Sequence, residues 1–333
     1  MVGIDEVARR AGVSTATVSR ALSGRGTVSA ATRARVLAAA DELGYVVSAA
    51  ASSLATGRTR NVGVLVPLLD RWFYAQVLSG IATRLSPEGY DLTLYNLPDA
   101  HAPRRDVLAR SLRRNRVDAV IALSVFLDDE EVAELQRLGK PVIAIGRQSP
   151  QLVALTVDDR AVARLATAHL LELGHTAVAH IGESRGRHGE VHVPTLRRRG
   201  FEQAMTDAGI PVHGDLLEPA DFTIDGGYRA AGRLLDRADR PTAIFAASDE
   251  MAFGAIFAAR ERGLRVPEDL SVVGVDGHEM SGFFALTTVD QFPHAQGERA
   301  AEAVLAVLRS GDAPEPTSLA FELVVRNSTA RPA

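Results

Sequence analysis

The chain has 333 residues, 46% of them hydrophobic, with 37 basic side chains, 41 acidic ones and no cysteine. That length predicts two or three compact units, and the lack of cysteine excludes disulfides, thiolate metal sites and cysteine nucleophiles. A net charge of −4 speaks, taken alone, against a nucleic-acid binder; no apolar run approaches the ~20 residues that span a bilayer; and the opening MVGIDEVARR lacks a secretory pattern, which predicts a cytoplasmic protein.

The charge is unevenly placed. Through residue 60 there are eight arginines (Arg9, Arg10, Arg20, Arg25, Arg33, Arg35, Arg58, Arg60) against Asp5, Glu6, Asp41 and Glu42, a balance of +4 that leaves −8 for the remainder. A basic head on an acidic body suits a module that meets phosphate joined to one that does not.

The head reads as three helices. Ile4, Val7, Ala8 and Ala11 have the one-face spacing of a short helix. Gly12 supplies a sharp turn, and Ser14 is a good N-cap for a second helix over about 15–22. Val18 sits among Thr15, Thr17, Ser19 and Arg20, so one side can be buried and the other presented. This is the pattern of a helix-turn-helix, whose second helix enters the major groove of DNA. A loop over 23–27 leads to a third helix, about 32–43, with Val36, Leu37, Ala40 and Leu43 on its apolar face and Gly44 as C-cap. The stretch VVSAAASSLATGRTR (46–60) has Leu54 as its only large apolar residue, and by composition it reads as a linker.

From Val62 onward apolar runs alternate with helical stretches. Strands are predicted at 62–67, 91–96, 117–123, 141–146, 177–182, 242–248 and 271–276, and ELVVR (322–326) reads as a last one. Helices are predicted at about 72–86, 102–114, 129–138, 160–173, 195–208, 225–238 and 249–263. Near-continuous apolar strands separated by helices predict parallel sheets covered on both faces. Ligands of open α/β sheets bind beyond the carboxyl ends of the strands, so this part reads as a small-molecule receptor made of two α/β halves.

Several long motifs in order resemble the LacI/GalR family of bacterial transcription repressors: IDEVARRAGVSTATVSRALSG, VSAATRARVLAAADELGY, LLELGHTAVAHIG, PTAIFAASDEMAFGAI, LSVVGVDG and LTTVDQFP. The resemblance implies a helix-turn-helix headpiece (1–46), a hinge helix (47–60) and a periplasmic-binding-protein-like effector domain with parallel sheets. Its first subdomain would comprise 61–159 plus 291–318, and its second 160–290 plus 319–328. It further implies a ligand-responsive regulator, most simply a repressor of carbohydrate-utilisation genes released by a sugar. A purine or sugar-phosphate co-repressor is the alternative effector.

The resemblance places Thr15, Ala16 and Arg20 against bases. Arg20 can present a bidentate fork to guanine, and Ala16 and the Thr15 methyl can pack on a thymine methyl. Ser14, Thr17 and Ser19 suit capping and phosphate contacts, which position without reading sequence. The 46–60 stretch becomes a hinge that folds on DNA, with Leu54 as a minor-groove wedge beside the partner's leucine. Val47-Ser48 stands where Pro-Asn is usual, Ser52 where arginine is usual, and Ser23 where asparagine is common.

For the effector, the resemblance points to Arg197 as a clamp and Asp276 as an acceptor of ligand hydroxyls. Ser248, Asp249, Arg147, Asp70, Trp72, Phe73 and Phe222 complete the candidate pocket. Asp249 can equally be a helix N-cap, Trp72 can be core packing, and Asp158-Asp159 can either cap a helix or reach the ligand. The partners implied are a pseudo-palindromic duplex operator, a small effector and a second copy of the chain. No membrane, cofactor or metal is implied. No leucine heptads follow ELVVR, so a dimer is expected rather than a tetramer.

Rival classes have less support. No GxSxG, Walker A or HExxH pattern occurs, so no enzyme is expected. His188 and His192, with Glu190 between them, lie among Gly186, Gly189 and Pro194 and make a poor metal site. DDEE (128–131) suits a helix start near its positive end. A sugar-transport receptor without DNA would not carry the helix-turn-helix.

Overall fold

The computed structural model describes residues 2–23, 27–45, 57–97, 104, 107–112, 117–125, 127–146, 151–182, 193–312 and 315–333. Its packing separates two units, residues 1–61 with 115–118, and 62–114 with 119–333.

The first unit contains α1 (Ile4–Ala11), α2 (Thr15–Ser23) and α3 (Ala30–Glu42). Gly12 ends α1 in the left-handed region at φ 64°, a conformation glycine adopts without a Cβ penalty. Ser14 Oγ accepts from Thr17 N–H at 3.2 Å to start α2, and Ser29 does the same for α3 through Thr32. Val7, Ala8, Ala11, Val18, Ala21, Val36, Ala39 and Ala40 close the core. Leu37, expected inside, is 49% exposed. The buried row of α3 is Val36, Ala39 and Ala40, and residue 37 lies about 100° around the helix from 36. At the end of this unit, Asp118 accepts from Thr59 N–H (2.8 Å), Thr59 Oγ1 (3.0 Å) and Arg60 N–H (2.9 Å).

The second unit is built on two six-stranded sheets. The first has the order β11-β5-β4-β3-β1-β2: β1 (Asn61–Val66), β2 (Asp91–Asn96), β3 (Ala119–Leu123), β4 (Val142–Ile145), β5 (Val153–Thr156) and β11 (Thr317–Ser318). The β1–β3, β3–β4, β4–β5 and β5–β11 pairs run parallel, with Val62 opposite Ala119. All five residues of β3 are buried, whereas edge strand β2 is not. The helices associated with this sheet are α4 (Trp72–Leu85), α5 (Asp129–Arg137) and α10 (Pro293–Ser310).

The second sheet has the order β12-β10-β9-β8-β6-β7: β6 (Val178–Gly182), β7 (Leu217–Pro219), β8 (Ala243–Ala246), β9 (Ser271–Asp276), β10 (Thr287–Asp290) and β12 (Glu322–Val324). Its β6–β7, β6–β8, β8–β9 and β9–β10 pairs run parallel, and β10–β12 runs antiparallel. It is covered by α6 (Asp159–Glu172), α7 (Val193–Asp207), α8 (Ile224–Leu235) and α9 (Asp249–Glu261). The chain passes from the first sheet to the second after β5, returns through α10, and crosses again after β11.

Helix pairs meet backbone to backbone at glycines. A Cβ on Gly297 of α10 would lie 2.0 Å from Val77 O of α4, and one on Gly254 of α9 would lie 2.1 Å from Ile224 O of α8. These contacts hold each helix close enough for its neighbour's side chains to complete the core.

Of the expected helix at 102–114, residues 104 and 107–112 are described, and Val107–Ser111 winds as a π-helix. Strands β5, β7, β10 and β11 and helix α10 were not anticipated as separate elements. Only seven residues separate the sequential strands β4 and β5, too few for the alternation on which the prediction rests.

In both sheets the strand order reverses beside the first strand of the half: β1 lies between β2 and β3, and β6 between β7 and β8. The carboxyl ends at such points form the ligand crevice of open α/β sheets.

Candidate functional sites

On α2, Thr15, Ala16, Ser19 and Arg20 are exposed, Val18 is fully buried and Thr17 is half-buried. A helix with one small buried row and this opposite face can lie in a groove without disturbing its own core. Ser14 Oγ lies 3.0 Å from Thr17 Oγ1, so these two hydroxyls engage each other at the cap. Arg20 Nε donates to Ala16 O at 3.2 Å, which lays the guanidinium along the outer face. Leu54 lies outside the described residues.

In the second unit the central group is Arg197, on α7 and 4% exposed. Nε donates to Asp159 Oδ1 at 2.9 Å, and Nη1 donates to Ala247 O at 2.6 Å. The same Nη1 lies 3.7 Å from Asp276 Oδ1. The guanidinium thus ties the start of α6 to the carboxyl ends of β8 and β9. The Asp158-Asp159 pair divides its roles: Asp158 caps α6 through Ala161 N–H at 3.0 Å, and Asp159 turns inward to Arg197.

Asp276, 7% exposed, also accepts from Gln291 Nε2 at 2.7 Å, and Gln291 O in turn accepts from Gln296 Nε2 at 2.8 Å. Asp249 is wholly buried. It accepts from Thr288 Oγ1 (2.7 Å) on one oxygen and from His278 N–H (2.8 Å) and Ser281 Oγ (2.9 Å) on the other. The cap of α9 is Ser248, which accepts from Met251 N–H. Asp249 therefore braces the turn after β9 rather than capping the helix.

Two buried carboxylates, Asp159 and Asp276, flank this guanidinium, and Asp249 adds its charge to Asp276. Burial raises Asp159, opposed by Arg197. Burial raises Asp276 well above the usual range, opposed by Arg197 and reinforced by the negative charges of Asp249 and Glu250. Burial pushes Asp249 up to about 7 against its three hydrogen bonds. Such opposed desolvation and charge are the signature of a functional cleft.

The other candidates scatter along the walls. Phe73 packs against the first core, edge-on to Tyr74 at 5.6 Å. Phe222 packs against the second core with φ 58°. Asp70 is exposed and pairs with Arg71 at 3.2 Å. Trp72 is half-buried and stacks on His278. Arg147, His188 and His192 lie outside the described residues. Among the described residues no cluster of three or more metal-ligating side chains occurs, and no helix is long and apolar enough to cross a membrane.

Three residues of this region were missed. Gln291 has a sequence signal, since it lies within the motif LTTVDQFP. His278 has none. His180, on β6, is buried between Phe201 and Phe245 at 5.3 and 5.0 Å, and its Nδ1 lies 3.1 Å from Phe245 O. Burial drops it from 6.5 to about 4, so the ring is neutral.

Residues 3–48 match the model of the bacterial regulatory proteins of the lacI family, and residues 167–329 match that of the periplasmic binding protein-like domain. The HTH-type transcriptional repressor PurR of Vibrio vulnificus is 33% identical over 334 residues, covering 98% of each chain. Among solved structures, a lac repressor dimer bound to operator and an anti-inducer superposes with a TM-score of 0.86 at 28% identity, covering 99% of each chain. A transcriptional regulator CelR–cellobiose complex matches at 0.72 and 31% identity, over 98% of this chain and 100% of that one. The exposed face of α2, the two α/β sheets and these matches together place the chain in the LacI family of DNA-binding transcriptional regulators.

Proposed function

We propose that the chain is a repressor that binds a pseudo-palindromic operator as a homodimer and is released by a neutral sugar held between its two α/β subdomains, 61–159 with 291–318 and 160–290 with 319–328. In the head, Arg20 reads a guanine, Ala16 and Thr15 pack on a thymine methyl, and Ser14, Thr17 and Ser19 serve phosphate and cap. Leu54 is the minor-groove wedge.

The observation that carries the effector class is the balance at Arg197. One guanidinium stands between Asp159 and Asp276, both buried, and the buried Asp249 adds its charge to Asp276. Buried carboxyls outnumber this cation, which already gives hydrogen bonds to Asp159 and Ala247, and that opposes a phosphorylated or anionic ligand. This balance favours one rich in hydroxyl donors, with aromatic walls for the apolar faces of a pyranose. The cellobiose complex of a relative agrees with this class.

The dimer has its own support. Ile224, Phe257, Met280 and Phe283 are exposed apolar residues of the second subdomain, with Phe283 at 84%. A two-fold contact would cover such a face.

Thermal unfolding against neutral sugars, sugar phosphates and nucleobases tests the effector. A ligand at 100 times its Kd adds about 2.7 kcal/mol. The expected result is a rise with a neutral sugar that Asp276→Asn weakens. A rise with sugar phosphates or nucleobases alone overturns the sugar.

A further inference from the structure

Trp72 is the chain's only tryptophan. It opens α4, whose buried residues Val77, Ile81 and Leu85 belong to the first core. Its indole faces elsewhere. It lies on the imidazole of His278, with centroids 4.3 Å apart and planes inclined by 25°. His278 stands in the turn between β9 and β10, so the stack joins an element of the first subdomain to one of the second.

The imidazole is fixed from several sides. Its backbone N–H donates to Asp249 Oδ2 at 2.8 Å. Its Nδ1 accepts from Met280 N–H at 3.0 Å, which leaves the ring proton on Nε2. Phe253 of α9 meets the ring edge-on, at 5.2 Å and 88°. The indole is less satisfied, because its Nε1 is buried without a hydrogen-bond partner. A buried donor in that state is costly, so the stack is what retains Trp72 at this place. Asp276 lies two residues before His278, on the same turn and against Arg197.

The same neighbourhood carries a charge contact of like direction. The positive charge of Arg71 acts on Glu250, which burial raises and which Arg71 lowers. Arg71 and Trp72 therefore both address the second subdomain from the start of α4.

We propose that His278 is the positioning residue for Trp72, and that their stack latches the first subdomain to the turn that carries Asp276. The latch would connect the occupied state of the cleft to the relative placement of the subdomains, a consequence that rests on the proposed effector cleft. The contact itself does not.

The test is the intrinsic fluorescence of the full chain, which reports Trp72 alone. His278→Asn keeps an acceptor for Met280 N–H and removes the ring, whereas His278→Phe keeps a flat ring and removes the acceptor. Losing an aromatic pair should shift the latched-to-open ratio about 2- to 13-fold. His278→Asn should therefore move the emission to longer wavelength and raise acrylamide quenching, and His278→Phe should restore wild-type values. Wild-type emission and quenching in His278→Asn, or a His278→Phe variant that behaves like it, would overturn the proposal. Should His278→Asn not fold, His278→Gln replaces it with the same expectations. A sugar panel without any thermal shift would sink the sugar assignment while leaving the emission difference in place, so the two failures are distinguishable.

Discussion

Replacing Arg197 by Met removes the cation that touches both Asp159 and Asp276 while conserving most of the side-chain volume. The guanidinium makes a 2.9 Å bond to Asp159, a 2.6 Å bond to Ala247 O and a 3.7 Å contact with Asp276. Breaking a buried pair leaves uncompensated charge, at a cost of about 3–5 kcal/mol. The cost should depend on pH in a definite direction. Both carboxyls already lie above their ordinary values because burial outweighs Arg197, and the substitution raises them further. A group whose folded pKa exceeds its unfolded one stabilises fully below the unfolded value and loses that stabilisation as pH rises through the folded one. The variant's deficit should therefore be smaller at pH 5 than at pH 8. Urea unfolding of both proteins at the two pH values measures this, and adding Asp276→Asn to the variant should recover part of the pH 8 loss. A deficit that is equal at both pH values would refute the idea that Arg197 neutralises these carboxyls.

Other expectations follow from separate parts of the molecule. Arg20→Ala should cost about 1–3 kcal/mol at one base pair of the operator, read by competition between operator variants; a uniform loss across sequences would make it a phosphate contact instead. His180, lowered from 6.5 to about 4 by burial, stabilises above 6.5 and loses that stabilisation as pH falls toward 4, by about 3 kcal/mol. His180→Phe should remove this component, so acid unfolding curves that remain parallel for variant and wild type count against it. Gly254→Ala should lose about 1–3 kcal/mol by overpacking against Ile224 O, measured by urea unfolding, because the added carbon meets backbone at 2.1 Å.

What could be read from the sequence divides by the range of the interactions involved. Strands 91–96 and 271–276 coincide with those observed, because each is set by its own apolar pattern between breakers. Helix α2 was also legible, through Gly12, Ser14 and the lone Val18. Leu37 was misplaced because its hydrophobicity counted and its angle did not. Strand β5 was passed over because it follows β4 after only seven residues. In the cleft, the residue types at Arg197 and Asp276 were visible, but the choice between Asp158 and Asp159 depended on which one α7 approaches. Ser248 rather than Asp249 caps its helix, because Asp249 finds Thr288, His278 and Ser281, all distant in sequence. His278 could not be anticipated, since its partner is a tryptophan on another subdomain and neither residue carries a local signal for the other.

The most direct measurement is operator affinity with and without the neutral sugar that most raises the melting temperature, on a duplex selected from a random library by the full chain. The sugar should weaken operator binding by about 5- to 150-fold, and the operator should weaken sugar binding by the same factor. A sugar that binds while operator affinity stays unchanged, or a library from which no duplex is selected, would contradict a sugar-released repressor.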